Sequence, residues 1–564
     1  MRKMTRRGFM QTSALAGAAA LLSGMSVAAS AATAESTETA EENCLNLFKK
    51  KTAPIEMVSV QLAPGRLIGY VDEGLYSFRG VPYATAERFQ SPVAVTKYAK
   101  DWQLALSYGP VSPQDRCLDG TAVPNSNEFM TPSNGTADMV ANETCQYLNV
   151  WTTSLTSKKP VLVFFHGGGL NNGASSELSY YTGEYFAEKE DAVFVSVNHR
   201  LNVLGYLDMS KYGAQYASSA IAGIEDCVVA LQWVHDNIAK FGGDPGNVTI
   251  LGQSGGGVKV TTLACMSDTV GLFDKVFVMS GGVSNNDKAS GLANTQKLVD
   301  YLGLKDSEVA AKLTSMSYEE LYTAATAAGC SWTTCYGNGT FASPLIDNNG
   351  SINPYAAQRK WLIGTTYGEF SSNSNDLIYF QNMDAYLPDI TDASAEQRLR
   401  TTYGSNADAV INGFRAAYPK LPLSHALYIN AMPSGGLSRW GLISPNGIVT
   451  ALNNAGIPVY NYVVAYTMPY FGGQIMHHTG DIPFWFASID TIGYQMRGDE
   501  DNARKVSDQM ADALTAFAAT GDPSTKKLAW DAYTTNAHNT MVFDVKSEVK
   551  KDFDRSLYEA MMNR

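Results

Sequence analysis

The chain has 564 residues, 45% hydrophobic and 11% aromatic, with 17% charged and a formal net charge of −12. So much apolar material buries a large core, which excludes intrinsic disorder, collagen-like and coiled-coil architectures. The acidic balance, with its arginine cluster confined to the extreme N-terminus, excludes nucleic acid as an expected partner.

The chain opens on an address. Thr5-Arg6-Arg7-Gly8-Phe9-Met10 is a twin-arginine core, a weakly apolar stretch runs from Ala14 to about Ala29, and Ala-x-Ala sites allow cleavage after Ala31 or Ala34. The expected organisation is therefore a twin-arginine signal peptide over 1–34, a polar leader over 35–54 and one folded domain over 55–564. The mature chain is expected to carry no transmembrane anchor and to be exported folded, to a periplasmic, cell-surface or secreted location. Losing Arg2, Lys3, Arg6 and Arg7 takes its net charge from −12 to −16. Oligomeric state is left open.

Past Pro54, short β-branched runs alternate with helical patterns, the mark of an α/β sheet. Pro160–Phe165 reads as a buried strand ending in His166 and three glycines, and Ala192–Asn198 as a second. Ile221–Phe241 is an amphipathic helix, with Ile224, Val228, Leu231, Val234 and Ile238 at helical spacing. Strands follow at Asn247–Leu251, Lys275–Met279, Trp361–Ile363 and Val459–Val464. No linker interrupts the succession. The predicted fold is α/β: a large, mostly parallel central sheet flanked by helices, a single domain with helical excursions at Gly282–Gly329 and Asp376–Leu437.

Seven cysteines leave at least one without an intrachain partner. None forms a Cys-x-x-Cys or Cys/His ligand set, so no metal and no cofactor are expected. Cys117 and Cys145 flank a Pro/Asn/Ser/Gly-rich loop that a disulfide would close, and Cys330 and Cys335 bracket a tiny one. Cys227 and Cys265 lie in apolar helical patterns and read as buried thiols; Cys44 has no placement.

Gly252-Gln253-Ser254-Gly255-Gly256 follows a strand and opens a helix-like segment, the context of a nucleophile elbow. Such a turn lifts a serine hydroxyl above the sheet edge at the positive end of a helix. His166-Gly167-Gly168-Gly169 ends an earlier buried strand, where backbone N–H groups can converge on a developing oxyanion; Gly168, Gly169 and Gly255 are the expected donors. His166 itself reads as packed under the loop. Downstream of Ser254 the chain offers His425, His477, His478 and His538 as bases. His477 and His478 sit on a loop after the Val459–Val464 strand, whereas His425 reads as packed and His538 lies in a polar turn. Neighbours cannot both face one serine, and the residues alone do not choose between 477 and 478. Many carboxylates could serve as the acid; Glu369 leaves the Trp361–Ile363 strand as a loop at its carboxyl end. Phe370, Tyr466, Tyr470, Phe471 and Trp485 are candidates to line an apolar gorge.

These residues carry a resemblance. Phe78-Arg79-Gly80-Val81-Pro82-Tyr83-Ala84, Asn198-His199-Arg200-Leu201, the run Ala230-Leu231-Gln232-Trp233-Val234 through Phe241-Gly242-Gly243-Asp244-Pro245-Gly246-Asn247-Val248-Thr249, and Thr520-Gly521-Asp522-Pro523 are similar to motifs of the type-B carboxylesterases, the group of cholinesterases and bacterial para-nitrobenzyl esterases. The similarity runs from about Val58 to Asp544. It implies the α/β-hydrolase fold and a serine esterase acting on a small-molecule ester through Ser254, His478 and Glu369. The family's acid lies five residues past a strand-end glycine, here Gly364. Its histidine lies three residues before an acidic residue and an aromatic run, here Asp481-Ile482-Pro483-Phe484-Trp485-Phe486. The resemblance also implies a loop closed by Cys117 and Cys145, the latter just before Tyr147-Leu148-Asn149-Val150. Gly255 replaces the usual alanine, which points to a looser turn; Thr144 and Gln146 replace an acid and a leucine, and a shortened loop after Tyr83 opens the gorge wall. Two other functions stay in view: hydrolysis of amides or thioesters at the same site, and a non-catalytic binding protein, which the filled triad positions argue against.

Overall fold

The computed structural model describes residues 54–114, 139–369, 390–427, 429, 438–470, 473 and 475–562. The strands that matter for the site are β1 (Glu56–Leu62), β2 (Gly65–Asp72), β3 (Leu75–Pro82), β4 (Tyr147–Thr152), β5 (Lys159–Phe165), β6 (Val193–Val197), β7 (Gly243–Gln253), β8 (Lys275–Met279), β9 (Lys360–Thr366), β10 (Val459–Val464), β11 (Thr540–Phe543) and β12 (Glu548–Lys550). They form a 13-stranded sheet in the order β1-β2-β3-β4-β6-β5-β7-β8-β9-β10-β11-β12, with the short strand Trp102–Leu104 beside β2. From β6 to β11 every pairing is parallel, and antiparallel strands occupy both flanks.

Parallel strands are covered on both faces, so their residues read as continuous apolar runs. Strand alternation sorts these residues into two cores. Leu162, Phe164, Phe194, Leu251, Phe277 and Met279 pack with Met510, Leu514 and Phe517 of helix α3 (Glu500–Thr520). Val161, Val163, Val195, Ile250, Val276 and Val278 pack on the other face with Ile224, Leu231 and Val234 of helix α1 (Ala222–Asn237). The predicted Ile221–Phe241 helix is thus α1 continued by a 3-10 turn over Ile238–Phe241. Among the described residues, Ala214–Phe241 is the one helical run long and apolar enough to cross a membrane, and most of its apolar window is buried in the protein.

The excursion expected over Gly282–Gly329 consists of helices Lys288–Leu302, Asp306–Ser315 and Tyr318–Ala327, which close a satellite core around Leu298, Val309, Leu313 and Leu321. The second excursion contributes helices Asp392–Tyr403 and Ala407–Ala417. Residues Ile55–Arg564 make one compact unit.

Cys227 and Cys265 are buried thiols, each donating to the carbonyl one helical turn back, at 3.2 Å. Cys330 and Cys335 are separate free thiols that do not bridge: Cys330 donates to Asn294 O, and Cys335 lies buried beside Gly291. Cys145 is a buried free thiol; Cys117 and Cys44 lie outside the described residues.

Candidate active site

The carboxyl ends of β5, β7, β8, β9 and β10 converge on one edge of the sheet, where ligands meet parallel α/β sheets. At the end of β7, Ser254 turns into helix α2 (Gly255–Ala264) at φ 57°, ψ −120°, a region rarely populated by residues with a side chain. Its N–H donates to Met279 O at 2.9 Å, pinning the turn to the end of β8. The hydroxyl therefore stands at the positive end of a helix dipole.

Glu369 lies beyond β9 and is 1% exposed. Its Oε1 accepts from Thr366 N at 2.6 Å, Thr366 Oγ1 at 3.1 Å and Ser280 Oγ at 2.5 Å. Oε2 faces His478 Nδ1 at 2.5 Å. The carboxylate only accepts, so Nδ1 carries the hydrogen and Nε2 is left with a lone pair. Backbone pairing holds the two segments in place: His478 N donates to Glu369 O at 2.8 Å, and Gly368 bridges to His477. Of the two neighbours, it is His478 that faces Glu369. His477 is buried with Nδ1 on the His478 carbonyl at 2.9 Å, and burial lowers its pKa. His425 is buried against Tyr367, its Nδ1 2.9 Å from the Tyr367 hydroxyl, with burial lowering its pKa to about 4. His538 pairs with Asp552 at 2.6 Å, in a separate cluster with Arg439 and Trp440.

The glycine loop after β5 lies against the elbow. A Cβ on Gly167 would sit 3.4 Å from Ser254 Cβ, and Gly168 and Gly169 take positive φ values of 81° and 65°. Asn172 N closes the turn on Gly168 O at 3.0 Å. His166 is packed beneath, its ring stacked on His199 at 4.9 Å, and desolvation holds both far below the usual imidazole pKa.

The carboxylesterase family model matches residues 56–561. The chain belongs to the carboxylesterase family. It is 26% identical over 505 residues to a para-nitrobenzyl esterase of Bacillus subtilis, spanning 86% of this chain and 95% of that protein. It is 35% identical over 253 residues to a phenmedipham hydrolase of Pseudarthrobacter oxydans, covering 43% and 47%. Among solved structures, an esterase from Clostridium hathewayi reported to hydrolyse aliphatic aromatic polyesters superposes with a TM-score of 0.78, at 32% identity, over 90% of this chain and 99% of that one. A Geobacillus stearothermophilus carboxylesterase gives 0.67 at 27% identity over 89% and 99%. The fold is the α/β-hydrolase fold, and the protein is a carboxylic ester hydrolase of the serine type.

Several details of this carboxylesterase depart from the sequence expectation. Gly255 does not loosen the elbow: a Cβ there collides with the carbonyl of Gly169, so the glycine lets the two segments pack closer. Trp485 does not line a gorge. It is fully buried, edge-on to Phe277, Tyr462 and Phe543 at 4.8, 5.0 and 5.2 Å. Tyr466 is likewise 2% exposed, packed on Phe484, with its hydroxyl donating to Asp499 at 2.9 Å. Tyr470 is half-buried and packs edge-on against Tyr494. Phe370 and Phe471 lie outside the described residues. Gln146 is buried, donating to Asp226 at 3.3 Å, where Asp226 also pairs with buried Arg200 at 2.8 Å.

Two residues beside the site were given no role by the sequence. Gln253 Nε2 lies 3.2 Å from His478 Nε2, which places the imidazole beside the elbow. Asp481, three residues past His478, is fully buried, with Tyr462 OH at 3.3 Å from one oxygen and no partner on the other. Burial, and then the charge of Glu369, push its pKa up to about 7. An ordinary carboxyl ionises near 3.8, so between these values the native state holds a proton that the unfolded chain has released. That stabilisation is complete below about pH 4 and lost as pH rises through 7. The wild type is therefore expected to lose on the order of 4 kcal/mol relative to Asp481→Asn between pH 4 and 8, read by urea unfolding at each pH. Parallel pH profiles for the two proteins would contradict this.

Proposed function

We propose that this chain hydrolyses carboxylic esters through an acyl-enzyme on Ser254. His478 takes the serine proton as Oγ attacks the ester carbonyl, and Glu369 holds the imidazole in the tautomer that leaves Nε2 free to accept it. Gly168, Gly169 and Gly255 supply N–H groups to the tetrahedral oxyanion. The alcohol leaves with the proton from His478, and water, activated by the same imidazole, releases the acid. The observation that carries this reading is the Glu369–His478 contact at 2.5 Å, seated at the elbow that holds Ser254 at φ 57°. Family membership and the named esterase relatives support ester hydrolysis.

The substrate is a small ester, and export through the twin-arginine route, supported by Arg6-Arg7 and the Ala-x-Ala sites, sets the reaction outside the cytoplasm. The test is hydrolysis of p-nitrophenyl acetate, butyrate and octanoate by the mature chain. Saturable turnover is expected on at least one, with the chain-length profile sizing the acyl pocket. A higher kcat/KM on a matched anilide than on its ester would replace this reading with an amidase.

A further inference from the structure

Helix α2 has an unusual occupant. Its first turn packs glycines against the end of β5: a Cβ on Gly256 would collide with Phe165 O and lie 2.9 Å from His166 O. One turn on, at a spacing that shares this face, stands Lys259. Helical side chains lean toward the N-terminus, and Lys259 Nζ reaches back to donate to the His166 carbonyl at 2.9 Å. The side chain is 0% exposed. An aliphatic residue would fill such a place without the cost of burying an amine.

His166 is the residue from which the glycine loop departs, and Gly167 already lies against the nucleophile. We propose that Lys259 is a positioning residue for the oxyanion-binding loop: by holding the His166 carbonyl it fixes Gly167–Gly169 over Ser254, and its charge sets how firmly. The inference rests on the esterase reading above. Facing the amine are Cys227 from α1, Glu177 from the segment after the glycine loop, and the His166 and His199 rings. Desolvation keeps both rings neutral, and burial raises the Cys227 thiol. Lys259 itself is lowered by burial to about 7, so it changes charge in the working range. Its charged form makes the stronger hydrogen bond to a carbonyl. The hold is therefore firm below pH 7 and relaxes above it.

The test compares the full mature chain with Lys259→Met, a variant of similar length without donor or charge. Measured from pH 6 to 9 are kcat and KM for p-nitrophenyl butyrate, and binding of an alkyl trifluoromethyl ketone, whose serine hemiketal places an oxyanion in the hole. The corresponding methyl ketone reports ground-state binding. In the variant, kcat and trifluoromethyl ketone affinity are expected to fall together, by about 10- to 100-fold, the scale of a slight misplacement of a reacting geometry. KM and methyl ketone binding should stay within about twofold, since the loop acts on the transition state. The wild type should lose trifluoromethyl ketone affinity as pH rises through 7, and the variant should not. Should Lys259→Met not fold, the wild-type series decides alone: affinity that does not decline above pH 7 overturns the proposal. Equal kcat and ketone affinity in both proteins, or a change in KM alone, overturns the role of Lys259 and leaves the esterase reading standing. A wild type that hydrolyses no ester overturns both.

Discussion

Ser254→Ala is expected to lower kcat for ester hydrolysis by on the order of 10⁶-fold, leaving the residual that positioning and the oxyanion hole supply without a nucleophile. The fold should survive, because the loss is chemical: the residue is held by the Ser254 N to Met279 O bond and by the glycines packed around it, not by its hydroxyl. The backbone offers an independent check. A residue with a Cβ at φ 57°, ψ −120° is strained, at a cost of about 1–3 kcal/mol. Ser254→Gly relieves that strain and Ser254→Ala keeps it, so the glycine variant should be the more stable of two equally inactive proteins. Thermal unfolding beside the activity assay reads both effects. Substantial turnover in either variant would remove Ser254 from the mechanism.

Glu369→Gln is expected to cost about 10³- to 10⁴-fold in kcat with little change in KM. The environment dictates how the amide must sit. Thr366 N, Thr366 Oγ1 and Ser280 Oγ all donate toward Oε1, so only the amide oxygen fits there. The amide nitrogen then faces His478 Nδ1 and presents hydrogens to it. Nδ1 must accept, Nε2 must carry the proton, and the imidazole can no longer take one from Ser254. Nitrogen-resolved NMR of His478 should show the exchanged tautomer, whereas a merely destabilised protein would keep the original one.

Much of the scaffold was legible because parallel strands bury both faces and leave unbroken apolar runs; Lys275–Met279 and Val459–Val464 are strands at the expected bounds. The elbow was legible for a local reason, since strand, serine and glycines lie in one short stretch. The other partners were not, because contacts between distant segments decide them. Residue chemistry did not separate His477 from His478; in the structure His478 faces Glu369 while His477 bridges to Gly368, contacts between distant segments that no local pattern encodes. The gorge aromatics failed for a related reason. Apolarity does not distinguish a side chain lining a cleft from one in the core, and the edge-to-face cluster around Trp485 places it in the core. Lys259, between Val258 and Val260, and Asp481, just ahead of Ile482–Phe486, did leave a signal as ionisable residues beside apolar ones, though nothing local said what either faced.

The central claim is that one serine, Ser254, carries the acyl group. The most direct measurement is labelling of the mature chain with an alkyl phosphonate that reacts with activated serines and is not turned over, followed by peptide mapping. One phosphonyl group per chain is expected, on the peptide containing Ser254, with esterase activity lost in proportion. Full inactivation with the label on another residue, or retained activity in a chain fully labelled at Ser254, would contradict the account.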